Sequence, residues 1–214
     1  MSYETAIFDL DGTLLNTLQD LRTAVNLALY HYGWKPRTPE EIRRFVGNGV
    51  RILMQRSVPG HQDNPLFEDA LQRFKEEYAV HQFDTTSPYP GIPEALQELS
   101  DRGVQLAIVS NKVDFAVKDL NARFFGLDIA CGDKEGQQRK PAPDVVFAAM
   151  EELGADPGST VYVGDSEVDI QTAANADLPC LSVEWGFRTV EELTQAGAQR
   201  IVPTPEELVK IICE

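Results

Sequence analysis

Short apolar runs alternate with amphipathic stretches along most of this chain. Residues 5–8, Thr-Ala-Ile-Phe, form such a run and stop at Asp9, the pattern of a buried strand. Residues 104–109, 160–163 and 180–183 repeat it, and 128–131 carries a weaker version. Between these runs, 92–102 puts Ala95, Leu96 and Leu99 on one helical face and stops at Gly103. Residues 115–125 stop at Gly126 and 145–153 at Gly154 in the same way, each glycine suited to the left-handed residue that ends a helix. Strands alternating with helices of this length predict parallel βαβ units and a doubly wound α/β sheet. Ligands of such sheets sit beyond the carboxyl ends of the strands.

One segment breaks the alternation. From Asn16 to Ser87 only helical patterns are visible. Leu18, Leu21, Val25 and Leu29 recur at helical spacing before Gly33, and 66–78 is a further helix. Thr38-Pro39-Glu40-Glu41 has the form of a capped helix start, with Thr38 as cap and Glu41 three residues on. Pro88-Tyr89-Pro90-Gly91 marks the return. The expected organisation is a core made of 1–15 and 88–214, with a helical insert at 16–87.

Composition narrows the class. With 214 residues, 43% apolar and 25% charged, the chain can bury one core or a core plus a smaller unit. A net charge of −15 without a Lys/Arg cluster argues against a nucleic-acid partner and favours solubility. No apolar stretch approaches the roughly 20 residues that cross a bilayer, and the acidic opening residues predict neither a signal nor a transit peptide. Cys131, Cys180 and Cys213 have no metal-ligand or disulfide spacing, which suits a reducing compartment; a cytoplasmic monomer or homodimer is expected.

Four elements that follow or lie close to predicted strand ends carry chemistry. Asp9-Leu10-Asp11-Gly12-Thr13 places two carboxylates directly after an apolar strand; Asp11-Gly12 alone would be a turn signal. Ser110-Asn111-Lys112 follows the second run; a hydroxyl beside free amides at a helix start suits phosphate, although Ser and Asn also cap helices for structural reasons. Lys140 lies among Pro141 and Pro143, which give its loop a defined course, so its ammonium can neutralise a phosphate; a solvated surface charge is the plainer alternative. Asp165 and Asp169, one helical turn apart after the run at 160–163, supply hard oxygen ligands of the kind magnesium prefers, or simply an acidic first turn. Acid, hydroxyl, cation and acid pair fall at the same edge of one inferred sheet, which none of them would establish alone.

This set resembles the haloacid dehalogenase superfamily, whose four motifs correspond to Asp9/Asp11/Thr13, Ser110, Lys140 and Asp165/Asp169. The insert is similar to that superfamily's C1-type cap. Arg44-Phe45-Val46-Gly47-Asn48-Gly49-Val50-Arg51 and Ser110-Asn111-Lys112 resemble the phosphoglycolate phosphatase subfamily. The resemblance implies that Asp9 attacks phosphorus to form an aspartyl phosphate, while Asp11 protonates the leaving group and then deprotonates water. It implies Mg2+ held by Asp9, the main-chain carbonyl of Asp11 and Asp165, with Asp169 orienting Lys140 or metal-bound waters and Thr13 steadying the loop. Ser110, Asn111 and Lys140 then hold the phosphoryl group. Asp11 disfavours dehalogenation, in which halide leaves without a proton. Neither Lys35 nor Lys75, the insert's only lysines, is near the Gly47-Asn48-Gly49 turn, which disfavours phosphonate cleavage by a Schiff base.

The expected substrate is a small phosphorylated metabolite. Gly47, Asn48 and Gly49 can offer main-chain amides and Arg51 a carboxylate partner, which would suit phosphoglycolate; equally, the glycines can turn the chain and Arg51 stay solvated. Pyrophosphate, sugar phosphates, nucleoside monophosphates and a hexose-phosphate mutase reaction remain alternatives, with a non-catalytic scaffold disfavoured by the complete set of charged groups. The segment 184–188 borders the predicted site without an assigned role.

Overall fold

In the computed structural model, which describes residues 2–214, six parallel strands form one sheet in the order β5-β4-β1-β6-β7-β8. They are β1 (Thr5–Phe8), β4 (Gln105–Val113), β5 (Ile129–Asp133), β6 (Thr160–Gly164), β7 (Cys180–Val183) and β8 (Ile201–Val202). The period-2 pattern of the strands divides the core into two faces. Ala6, Phe8, Leu106, Ile108, Val161 and Val163 pack with α5 (Ile92–Asp101) and α10 (Pro205–Cys213). Ile7, Ala107, Val109 and Tyr162 face α7 (Asp144–Leu153) and α8 (Glu167–Asn175). After β1 the chain crosses to β4 on one side and later to β6 on the other. A crevice therefore opens beyond the carboxyl end of β1, with Asp9 at its floor.

The insert folds as four helices, α1 (Leu18–His31), α2 (Pro39–Phe45), α3 (Val50–Ser57) and α4 (Phe67–His81), around a separate apolar cluster that includes Leu21, Val25, Leu29, Met54 and Phe74. Thr38 and Glu41 form the expected capping box at the start of α2. At the insert's two ends, β2 (Leu15–Asn16) pairs antiparallel with β3 (Ser87–Pro88), a feature the helical reading of 16–87 omits because two-residue strands carry no periodicity. Beside this pair, buried Asp20 accepts hydrogen bonds from the amides and hydroxyls of both Thr85 and Thr86 at 2.5–3.0 Å.

Burial opposes the Asp20 charge, but these bonds outweigh it and hold the carboxyl below its ordinary value. A lowered folded-state pKa contributes stability above the unfolded value near 4, lost as pH falls through the lowered one. Asp20→Ala should therefore destabilise the fold by about 2–4 kcal/mol at pH 7. The difference in urea unfolding between variant and parent should shrink as pH falls below about 4, and a difference independent of pH would contradict this.

Two further departures bear on the site. β4 runs on to Val113, so Ser110, Asn111 and Lys112 lie on an irregular strand end, with the register to β5 shifting between Val109 and Val113; α6 (Asp114–Phe124) starts only afterwards. The expected helix start at Ser110 is thus a strand end, where side chains rather than a first helical turn face the crevice. Beyond 183, the chain adds α9 (Val190–Gln195), β8 and α10, none of which the apolar runs announce.

Candidate active site

The four sequence elements meet in one cleft between the sheet edge and the insert. Asp9 continues the parity of Ile7, which turns its side chain to the α7/α8 side. There its Oδ1 accepts a 2.7 Å hydrogen bond from Lys140 Nζ. The same ammonium donates to Tyr162 Oη and Asp169 Oδ1, each at 2.8 Å, so its three protons are fixed. Burial works against this charge, but Asp169 and Asp9 raise the Lys140 pKa well above its ordinary value. Among the described residues no hydrogen bond reaches Asp9 Oδ2, although Asp9 lines the cleft. Burial, opposed by Lys140 and reinforced by Asp169, pushes the Asp9 carboxyl up to about 7.

Asp165 stands at the end of β6 and is buried. Its Oδ2 accepts from the Phe187 amide at 2.6 Å and its Oδ1 from Thr13 Oγ1 at 3.3 Å. Asp169 Oδ2 accepts from the amide and hydroxyl of Ser166, so this residue both caps α8 and aims Lys140. Ligand atoms of Asp9, Asp165 and Asp169 lie within 4.8 Å of one another. One ammonium bonds two of these three buried carboxylates, so when ionised they carry two negative charges in excess, and every donor is a hard oxygen. Burial and the neighbouring carboxylates raise Asp165 well above the usual range. That donor set and charge fit a divalent cation. The Asp11 carboxylate lies outside this group; it receives Lys112 Nζ on both oxygens at 2.9 Å and Thr17 Oγ1 at 2.7 Å.

Ser110 and Asn111 line the cleft, and Asn111 Nδ2 bridges the carbonyls of Gly47 and Lys140 at 3.0 and 2.9 Å. Gly47 and Gly49 line it too, whereas Asn48 and Arg51 do not. Arg51 pairs with Glu68 at the insert surface and lies over the Phe67 ring, drawn there by an acidic partner close by in the fold but 17 positions away in sequence.

The segment 184–188 has structural work at the site that the residue pattern does not disclose. Trp185 Nε1 donates to the Thr13 carbonyl, and Gly186 packs so closely that a Cβ there would lie 2.2 Å from the Asp165 Cβ. Arg188 pairs with Glu167 and donates to the carbonyls of Arg43 and Val46 at the end of α2, joining core to insert. Its place beyond the carboxyl end of β7 is the one available clue. Lys112, named in the sequence with Ser110 and Asn111 but given no task there, reaches Asp11 in a way the sequence does not disclose.

A family model described as haloacid dehalogenase-like hydrolase matches residues 6–183. The chain is 32% identical to phosphoglycolate phosphatase from Pseudomonas savastanoi pv. phaseolicola, the match spanning 95% of this chain and 77% of that protein. Phosphoglycolate phosphatase from Aquifex aeolicus is 31% identical, spanning 96% and 95%. A crystal structure from Lactobacillus delbrueckii subsp. bulgaricus, provisionally assigned as a phosphoglycolate phosphatase, superposes with a TM-score of 0.93 at 38% identity, covering 100% of this chain and 99% of that one.

Proposed function

Because the chain belongs to the haloacid dehalogenase-like hydrolases and is a phosphatase, we propose that it hydrolyses a small phosphate monoester, phosphoglycolate first, through an aspartyl phosphate on Asp9. The observation that carries this reading is the Asp9 carboxylate, with Oδ1 tied to Lys140 and Oδ2 unbonded in the cleft. In the first step Oδ2 bonds to phosphorus as the bond to the leaving oxygen breaks, and Asp11 gives that oxygen a proton. In the second step Asp11 takes a proton from water as the water oxygen bonds to phosphorus. The acyl-phosphate P–O bond breaks, releasing inorganic phosphate and restoring Asp9.

The Ser110 hydroxyl and the Asn111 main-chain amide hold the phosphoryl oxygens, and the Lys140 ammonium, fixed on Asp9 and Asp169, offsets their charge. Asp169 keeps Lys140 aimed at Asp9, and Thr13 steadies Asp165. Mg2+, held by Asp9, the Asp11 carbonyl and Asp165, supplies charge neutralisation for the phosphoryl group when bound. Residues 16–87 act as a cap over a catalytic core of 1–15 and 88–214, with Gly47 and Gly49 at its lip. The cap restricts access to small metabolites and leaves no role for nucleic acid. No helix among the described residues is long and apolar enough to cross a membrane, and the three free thiols are in keeping with the cytoplasm.

The test is phosphate release with Mg2+ from phosphoglycolate, pyrophosphate, glucose 6-phosphate and nucleoside monophosphates. Phosphoglycolate should exceed the others in kcat/KM by about tenfold or more. Faster turnover of pyrophosphate would reassign the substrate and leave the chemistry in place.

A further inference from the structure

Lys112 is a cleft cation that the mechanism above leaves without a task. It sits two residues past Ser110 on β4, buried to 4% exposure, with Nζ 4.6 Å from the centre of the Tyr78 ring on α4. Its hydrogen-bond acceptors are the two Asp11 oxygens, a group that has to turn to the ester oxygen during catalysis. Thr17 also holds Asp11, so the carboxylate does not depend on an ammonium for its anchorage. The other cleft cations are committed. Lys140 has all three protons on Asp9, Tyr162 and Asp169, and Arg188 is taken up by Glu167 and the carbonyls of Arg43 and Val46. Arg51 is outside, on Glu68.

We propose that Lys112 binds the substrate's own carboxylate, that Asp11 occupies this anion's place in the free protein, and that the enzyme thereby selects esters bearing a carboxylate on the ester carbon. This rests on the phosphomonoester reading above. Asp11 meets the ester oxygen across one hydrogen bond of about 2.7 Å. A carboxylate on the ester carbon lies two bonds, about 2.4 Å, from that same oxygen. An ammonium one hydrogen bond from Asp11 is therefore within reach of that carboxylate. A longer spacer moves the anion away along the cleft. A substrate without the anion leaves Lys112 on Asp11, in competition with the ester oxygen. Arrival of the anion frees Asp11 for proton transfer.

The experiment compares kcat/KM for phosphoglycolate and for ethyl phosphate, in which a methyl group replaces the carboxylate, in the unmodified protein, Lys112→Met and Lys112→Arg. The unmodified protein should favour phosphoglycolate by about a hundredfold, and Lys112→Met should reduce that ratio at least about tenfold, largely through KM for phosphoglycolate. Lys112→Arg should recover part of it. An unchanged ratio in Lys112→Met, with equal loss on both esters, would overturn this inference alone. A ratio near one in the unmodified protein would overturn both it and the phosphoglycolate reading. Should Lys112→Met not fold, the unmodified protein still decides: 3-phosphooxypropanoate, one methylene longer, should be at least about tenfold poorer than phosphoglycolate, and equal turnover overturns the proposal.

Discussion

Asp9→Asn is expected to lower turnover by a factor on the order of 10⁴ or more while the sheet stays folded. Asparagine keeps the shape and can still accept the Lys140 hydrogen bond through Oδ1, but its amide is no nucleophile for phosphorus. The folded state also gains something from the change. Burial drives the Asp9 carboxyl up to about 7, so ionising it opposes folding. The sign follows from linkage: an acid whose pKa is raised on folding costs stability as pH rises from its unfolded value near 4 towards the folded one. In chelator, the thermal midpoint of Asp9→Asn should therefore gain on the parent between pH 4 and pH 7. Single-turnover assays with phosphoglycolate and circular dichroism melts check both halves. Normal turnover in the variant would refute Asp9 as nucleophile.

Removal of divalent metal should silence the protein by at least about 10³-fold, with full recovery on adding Mg2+. Asp9, Asp165 and Asp169 carry more negative charge than Lys140 offsets, so the same ion should raise the thermal midpoint. Saturation at a hundredfold excess over Kd corresponds to about 2.7 kcal/mol. Asp165→Asn should abolish activity and most of that thermal response together. Its carboxamide can still accept from the Phe187 amide, so the surrounding loop should hold. Metal-independent turnover, or an unaltered midpoint shift in Asp165→Asn, would contradict the role given to this residue.

The sheet was legible because β1, β6 and β7 are buried on both faces, which compresses their signal into short apolar runs, those of β1 and β6 ending at acidic residues. Asp9, Asp11 and Asp165 stand directly beyond the β1 and β6 runs, whereas Lys140 lies well past its run and stood out by Pro141 and Pro143. What stayed hidden depends on contacts distant in sequence. Lys112 has no task of its own beside Ser110 and Asn111 until the fold carries it to Asp11, 101 positions away, and Arg188 none until it meets the carbonyls of Arg43 and Val46. Arg51 shows the opposite failure: its neighbours Gly47 and Gly49 do line the cleft, but one helical turn rotates Arg51 to Glu68. The strand pair β2/β3 was invisible for want of length, and α9 because its apolar positions are few, whereas α10 carries an open signal in Leu208, Val209, Ile211 and Ile212.

That pair has a consequence for how such a protein can be altered. Leu15 lies opposite Pro88 and Asn16 opposite Ser87, so the chain leaves the sheet and returns to it at adjacent points. Excising everything between them leaves ends that a tight turn can rejoin, and grafting another unit there leaves the strand order of the sheet undisturbed. The helical insert can thus be lengthened, shortened or exchanged without rerouting a strand of the sheet.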